Sequence, residues 1–113
     1  MARLQNQLGS GTPDQQIKAA QRLIDGRILA DALKDQPRWV QERAVSAAAQ
    51  IGSPQAWYQL LTAWYLLDAP VQARATELLT NAGTTAIPTL VEALRDKDAN
   101  TRKGVNAVLV AIG

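Results

Sequence analysis

The chain repeats one pattern of residues three times. Each copy closes with an apolar residue followed by glycine, and the closing glycines, Gly52, Gly83 and Gly113, lie 31 and then 30 residues apart. The residues that lie 12, 8 and 4 positions before each glycine are also alike. They are Val40, Val71 and Thr101, then Ala44, Ala75 and Val105, then Ala48, Leu79 and Leu109. A period of this length is typical of stacked repeats, in which each unit buries its apolar side against the next. We therefore expect a repeat array rather than one closed domain.

Within each copy the apolar residues follow helical spacing. In the last copy, Ile87, Leu90, Val91 and Leu94 lie at i, i+3, i+4 and i+7, and the same spacing recurs over residues 105–112. This periodicity predicts two amphipathic helices per copy, and no segment alternates at period two for long enough to predict a strand. The predicted helices cover residues 2–8, 13–25, 27–34, 37–51, 54–67, 69–82, 86–95 and 98–112.

Residues that favour helix ends lie at the predicted boundaries. Side chains that can cap a helix N-terminus are found at Thr12, Ser53, Asp68 and Asp98. Gln15, three residues after Thr12, completes a capping-box pattern. Glycines that suit the left-handed backbone of a helix C-cap are Gly26, Gly52 and Gly83.

These patterns predict an all-α fold in one domain over residues 1–113. The repeats lie near residues 25–52, 53–83 and 84–113, with a partial repeat over residues 1–25. No apolar run approaches the roughly 20 residues that span a bilayer, and the N-terminus lacks the apolar core of a signal peptide. We expect a cytoplasmic protein that does not bind membranes.

The composition argues against several kinds of functional chemistry. The 113 residues include no cysteine and no histidine, so a thiolate metal site is excluded and the commonest metal ligand and general base are missing. We expect no catalytic residue, no metal and no cofactor. The 12 basic and 10 acidic residues are interspersed, and no basic stripe extends beyond Arg43 and Arg74, which argues against nucleic-acid binding.

The last copy carries a family resemblance. Residues 86–98, AIPTLVEALRDKD, with Arg102 and the ending over residues 107–113, closely resemble a HEAT-like repeat. The likeness is to the short-repeat type of phycobilisome lyase-related proteins and many bacterial scaffolds. It implies a right-handed α-solenoid of antiparallel helix pairs, with about three and a half repeats, and protein binding as the usual role.

The resemblance also implies a ladder of buried ion pairs. In such repeats an Asp in the turn between helices pairs with an Arg early in the second helix, which maps onto Asp96 or Asp98 and Arg102. The earlier copies depart from this pattern, because Gln41 and Gln72 occupy the position of Arg102. No continuous ladder is therefore expected.

The second helix of the last copy differs from its counterparts on the side away from the core. Nine, six and two residues before the closing glycine, the first two copies carry polar residues: Arg43, Ser46 and Gln50, then Arg74, Glu77 and Asn81. The last copy has Gly104, Ala107 and Ala111 there, with Val110 beside them, so its final turns are apolar all round. Solenoids normally finish with a polar capping unit.

We therefore hypothesise that the C-terminal helix docks against another chain, either a second copy or a different protein. Glycine inside a helix is about 1 kcal/mol less favourable than alanine, and Gly104 thus favours a flat surface for close approach. Two other interpretations stay open. The chain is a fragment of a longer solenoid, or the small residues fill an ordinary surface.

Four aromatic residues lie as two adjacent pairs on one predicted helix. Trp57 and Trp64 share the apolar stripe and are predicted to pack in the core. Tyr58 and Tyr65 lie about 80° to 100° around the helix from Trp57, where exposure would give an amphipathic interface patch.

The sequence favours a protein-interaction or scaffold module without catalysis. The predicted partner-binding residues are Arg43, Arg74, Tyr58, Tyr65, Gly104, Ala107, Val110 and Ala111. One alternative is a bilin-lyase-like or phycobilisome-associated component, although three repeats offer little concave surface to enclose a bilin. A less favoured alternative is a relative of HEAT-like DNA glycosylases, which the balanced charge opposes.

Overall fold

Every regular element between residues 12 and 112, the range that the computed structural model describes, is helical. The all-α prediction is confirmed for this range, and the predicted helix over residues 2–8 lies outside it. Within the range there are seven α-helices: α1 (Pro13–Asp25), α2 (Leu29–Leu33), α3 (Arg38–Ile51), α4 (Pro54–Ala63), α5 (Ala69–Asn81), α6 (Ile87–Leu94) and α7 (Ala99–Ile112). Short 3-10 turns cover Trp64–Leu66 and Gly83–Thr85. None of the described helices has the length and apolar character needed to cross a bilayer.

Several helix ends form as predicted. The capping box at the start of α1 is complete, because Gln15 N donates to Thr12 Oγ1 at 3.3 Å and Thr12 N donates to Gln15 Oε1 at 3.0 Å. Ser53 Oγ accepts a backbone N–H from the first turn of α4 at 3.2 Å. Gly52 and Gly83 have φ values of 62° and 59°, the left-handed region that glycine adopts without a steric penalty.

The helix α1 ends at Asp25 as predicted, but Gly26 does not have the left-handed backbone expected of it. Gly26 has φ −79°, a right-handed value, and its N–H donates to the carbonyl of Arg22, so the helical path continues through it. The chain turns at the next residue, where Arg27 has φ 57°. The N-cap prediction for Asp98 agrees with the structure, because its Oδ1 accepts Asn100 N at 3.0 Å.

The helix α4 ends four residues earlier than its apolar pattern predicted. After Ala63 the backbone tightens into the 3-10 turn over Trp64–Leu66. The Trp64 carbonyl accepts Leu67 N at 3.2 Å and the Gln72 side-chain Nε2 at 3.0 Å. Such contacts satisfy carbonyls that a helix end leaves without an intrahelical partner.

Helices two apart in the chain pack against each other. One row runs α1, α3, α5 and α7, and a second row runs α2, α4 and α6. The helix α4 is central, since it also contacts α1, α3 and α7, and its Leu60 and Leu61 are completely buried. Buried apolar side chains from all seven described helices form one continuous cluster. The radius of gyration of 12.8 Å is that of a compact domain, about 13 Å for 100 residues.

Candidate interaction surfaces

Five large apolar side chains of α6 and α7 remain between 40% and 52% exposed. They are Ile87, Val91, Leu94, Leu109 and Ile112, and we call them the end face. The three on α6 share one side of the helix at i, i+4 and i+7, and the two on α7 lie at i and i+3. Since α6 packs on α7, the two stripes belong to the same end of the molecule.

The end face has a buried counterpart in the middle repeat. Counted back from the closing glycines, its residues correspond to Trp57, Leu61, Trp64, Leu79 and Ala82. Trp57, Leu61 and Leu79 are at most 5% exposed, and the other two are half-buried. The helices α6 and α7 cover α4 and α5. Nothing within residues 12–112 covers the end face in the same way.

Gly104 does not lie on an outer surface, which corrects the expectation from the sequence. It is buried, and a Cβ atom there would lie 2.6 Å from the Leu61 carbonyl oxygen and 3.1 Å from Trp64 Cβ. The close approach that glycine allows is used within the chain, between α7 and the end of α4. The helical wheel placed Gly104 opposite the core because it could not show that α7 packs against α4 as well as α6.

The other small residues of α7 become more exposed toward its C-terminus. Ala107 is half-buried, Ala111 is exposed, and Val110 is 81% exposed. Val110 lies about 100° around the helix from Leu109. It also lies about 160° from Ile112, so it is on the other side of α7 from the end face.

Arg43 and Arg74 are both exposed and both contact a residue of their own helix. The Arg43 guanidinium lies 5.7 Å from the centroid of the Trp39 ring, which is 45% exposed. Arg74 Nη1 lies 3.4 Å from Glu77 Oε1. The two arginines lie on α3 and α5, whereas the end face lies on α6 and α7.

The two tyrosines do not form a common patch. Tyr65 is 45% exposed, whereas Tyr58 is half-buried and donates its hydroxyl to Asp96 Oδ2. The change from α-helix to 3-10 turn after Ala63 breaks the periodicity that related their positions. Trp57 packs in the core as predicted, while Trp64 is only half-buried and donates its indole N–H to Thr76 Oγ1 at 3.1 Å.

An open cleft of about 580 Å³ lies beside Tyr58. Its lining includes the carboxylates of Glu92, Asp96 and Asp98 and the guanidinium of Arg27. Burial first, then the hydrogen bond to Asp96 and the nearby carboxylates, raise the pKa of Tyr58 to about 12. The hydrogen bond from Tyr58 in turn is the main cause that lowers the pKa of Asp96. The sequence did not predict this contact, because the two residues are 38 positions apart.

Three glutamine side chains connect helix ends, and we call Gln41, Gln59 and Gln72 the bridging glutamines. Gln59 donates to the carbonyl of Ile24 at the end of α1 and accepts Leu29 N, at the start of α2, at 3.2 Å. The sequence gives no signal for this role of Gln59, because its partners lie about one repeat earlier in the chain.

Gln41 acts in a similar way one repeat later. Its Nε2 donates to the Gln36 carbonyl at 3.0 Å, and its Oε1 accepts Asp68 N at 2.9 Å. Gln41 is 3% exposed, so these bonds satisfy polar groups that are shielded from water.

The aspartate–arginine ladder implied by the resemblance is not formed at Arg102. Among residues 12–112, ion pairs join Arg38 to Asp68 and Arg74 to Glu77. Arg102 is exposed, and Asp96 instead binds Tyr58 and accepts Asp98 N at 2.8 Å.

Comparison with known proteins assigns no family to this chain. No protein-family model matches it, and no curated protein matches it at a significant level. The likeness to HEAT-like repeats therefore depends on the residues of the chain itself, chiefly those over 86–113.

Proposed function

We propose that this protein is an interaction module, a short right-handed HEAT-like solenoid that binds a partner protein through its end face and performs no catalysis. The observation that carries the proposal is the equivalence between the end face and the buried positions of the middle repeat. Leu61 and Leu79 are covered by the next helix pair. Val91 and Leu109 lie at the same repeat positions but are exposed, so a helical partner can cover them.

The packing pattern supports a solenoid. Helices two apart in the chain contact each other in both rows, as stacking of successive helix pairs requires. The first repeated position is buried in every repeat, at Val40, Val71 and Thr101. The handedness and the number of repeats follow from the resemblance.

The end face can supply a useful part of a binding free energy. Burying an aliphatic side chain completely is worth about 1.5–3 kcal/mol, so five side chains that are nearly half exposed supply roughly 3–7 kcal/mol. A partner face of similar character adds a similar amount, and a polar rim adds specificity. Val110 and Ala111 are exposed on the other side of α7, each about 130° around the helix from the middle of the Leu109–Ile112 stripe, so they lie outside the end face.

The cleft beside Tyr58 does not favour the alternatives. Its three carboxylates and single guanidinium oppose a phosphate backbone, which counts against DNA binding. Its volume lies within the range of small-molecule sites, about 300–1,000 Å³, but such sites are mostly apolar with few charged groups, and this lining carries four charged residues. A bilin therefore fits the cleft less well than a protein fits the end face.

The proposal is tested with tagged protein in an extract of the native cell. A Val91→Glu variant places a charge at the centre of the end face, and Gln50→Glu places the same charge on an exposed site of α3. We expect a protein that binds the unaltered chain and Gln50→Glu but is lost with Val91→Glu. A set of bound proteins that Val91→Glu leaves unchanged contradicts the proposal.

A further inference from the structure

We propose that the end face binds a second copy of the same chain, face to face about a two-fold axis. This inference rests on the proposed function and names its partner. It follows from a difference between the two ends of the described molecule and from the area that the end face offers.

At the opposite end of the described residues, Ile28 is the exposed large apolar side chain of the first helix pair, so the surface there does not match the five residues of the end face. The exposed side chains of α1 are Asp14, Gln15, Lys18, Arg22 and Asp25. No large apolar residue of α1 is exposed. A head-to-tail contact would therefore bury the charged side chains of α1 against the apolar end face, which is unfavourable.

A contact between two end faces pairs apolar surface with apolar surface. Such a contact is self-complementary, because each copy uses the same patch, and it closes at two chains instead of growing into a filament. Arg102, exposed at the start of α7, lies seven residues before Leu109, about 10 Å along the helix. Its charge is therefore placed at the rim, where water can solvate it.

The area is also suitable for a dimer. Five aliphatic side chains that are 40–52% exposed give an apolar patch on the order of 300 Å² per copy. A standard interface buries roughly 800 Å² per partner, with an apolar core inside a polar rim. The end face is large enough to be that core, and we expect a reversible dimer with a Kd in the micromolar range, roughly 1–100 μM.

Sedimentation equilibrium of the full chain from about 1 μM to about 1 mM tests the inference. We expect unaltered protein and Gln50→Glu to form the same reversible dimer. Val91→Glu and Val91→Lys each weaken it at least roughly tenfold, because each places like charges across the axis. Mixing the two variants restores a dimer, because the charges are then opposite. Circular dichroism of each variant checks that the helices are retained.

A crosslinking experiment gives a second measurement that introduces no charge. The chain has no cysteine, so Val91→Cys carries a single thiol. We expect a short bismaleimide to join two copies of Val91→Cys and not two copies of Gln50→Cys.

A chain that remains monomeric at every concentration overturns the inference, and so does a dimer that the charges at Val91 leave intact. If a different protein in the native extract still depends on Val91, the second copy is refuted but the proposed function is retained. If neither a dimer nor such a protein is found, both fail.

Discussion

The middle repeat and the last repeat place apolar residues at the same positions but bury them to different extents. Leu61 and Leu79 are 0% and 1% exposed, whereas their counterparts Val91 and Leu109 are 47% and 40% exposed. All four are aliphatic, so the difference comes from the neighbouring helices. Burial in this fold therefore depends on what stacks on a repeat as well as on its own sequence.

Truncating equivalent residues in the two repeats gives the most direct test of this difference. Leu61→Ala removes buried methyl groups and leaves a cavity, so we expect a loss of about 2–5 kcal/mol in the free energy of unfolding. Val91→Ala removes groups that are half exposed, and we expect a loss below about 1 kcal/mol. Urea denaturation at a concentration that keeps the protein monomeric measures both. Equal losses would show that the last repeat is as well covered as the middle one.

Gly104 tests how closely the last repeat approaches the middle one. In Gly104→Ala the added Cβ meets the Leu61 carbonyl oxygen at 2.6 Å, and a backbone atom cannot rotate away. We expect overpacking to lower the free energy of unfolding by about 1–3 kcal/mol, despite the higher helix propensity of alanine.

Asn106→Ala is the control, since Asn106 is an exposed residue of the same helix. Its effect should stay within about 0.5 kcal/mol. If Gly104→Ala is as stable as this control, α7 does not pack closely against the end of α4.

The Tyr58–Asp96 hydrogen bond joins the middle repeat to the last one, and titration of Tyr58 measures it. In a Tyr65→Phe background, ultraviolet titration should give a phenol pKa of about 12, and Asp96→Asn should lower it. The phenol of the unfolded chain ionises near the ordinary tyrosine pKa of 10.0. The raised pKa of Tyr58 therefore contributes to the stability of the folded chain below pH 10, and this contribution is lost as the pH rises to about 12. If Asp96→Asn leaves the midpoint of the phenol titration unchanged, Tyr58 does not donate to Asp96.

The sequence predicted the helices well because local spacing and capping determine them. The start of α1 at Thr12 and the left-handed Gly52 needed only neighbouring residues. The premature end of α4 could not be predicted, because Gln72 from the next helix binds the Trp64 carbonyl.

The candidate site was predicted only in part for the same reason. An apolar end of the molecule was expected from Val110 and Ala111, which are exposed. The helical wheel treated α7 as having one buried side, so it placed Gly104 outside. The spacing of Ile87 and Val91 equals that of a buried apolar stripe, and only the stacking shows that these residues lie at an end.

The bridging glutamines have a consequence for how the molecule responds to its solution. Amides carry no charge, so their bonds to Ile24, Leu29 and Asp68 neither titrate with pH nor weaken through ionic screening. A ladder of aspartate and arginine would respond to both. These links between the first helix pairs are therefore indifferent to acid and salt, unlike the Arg38–Asp68 ion pair beside Gln41 and the Tyr58–Asp96 contact in the later repeats.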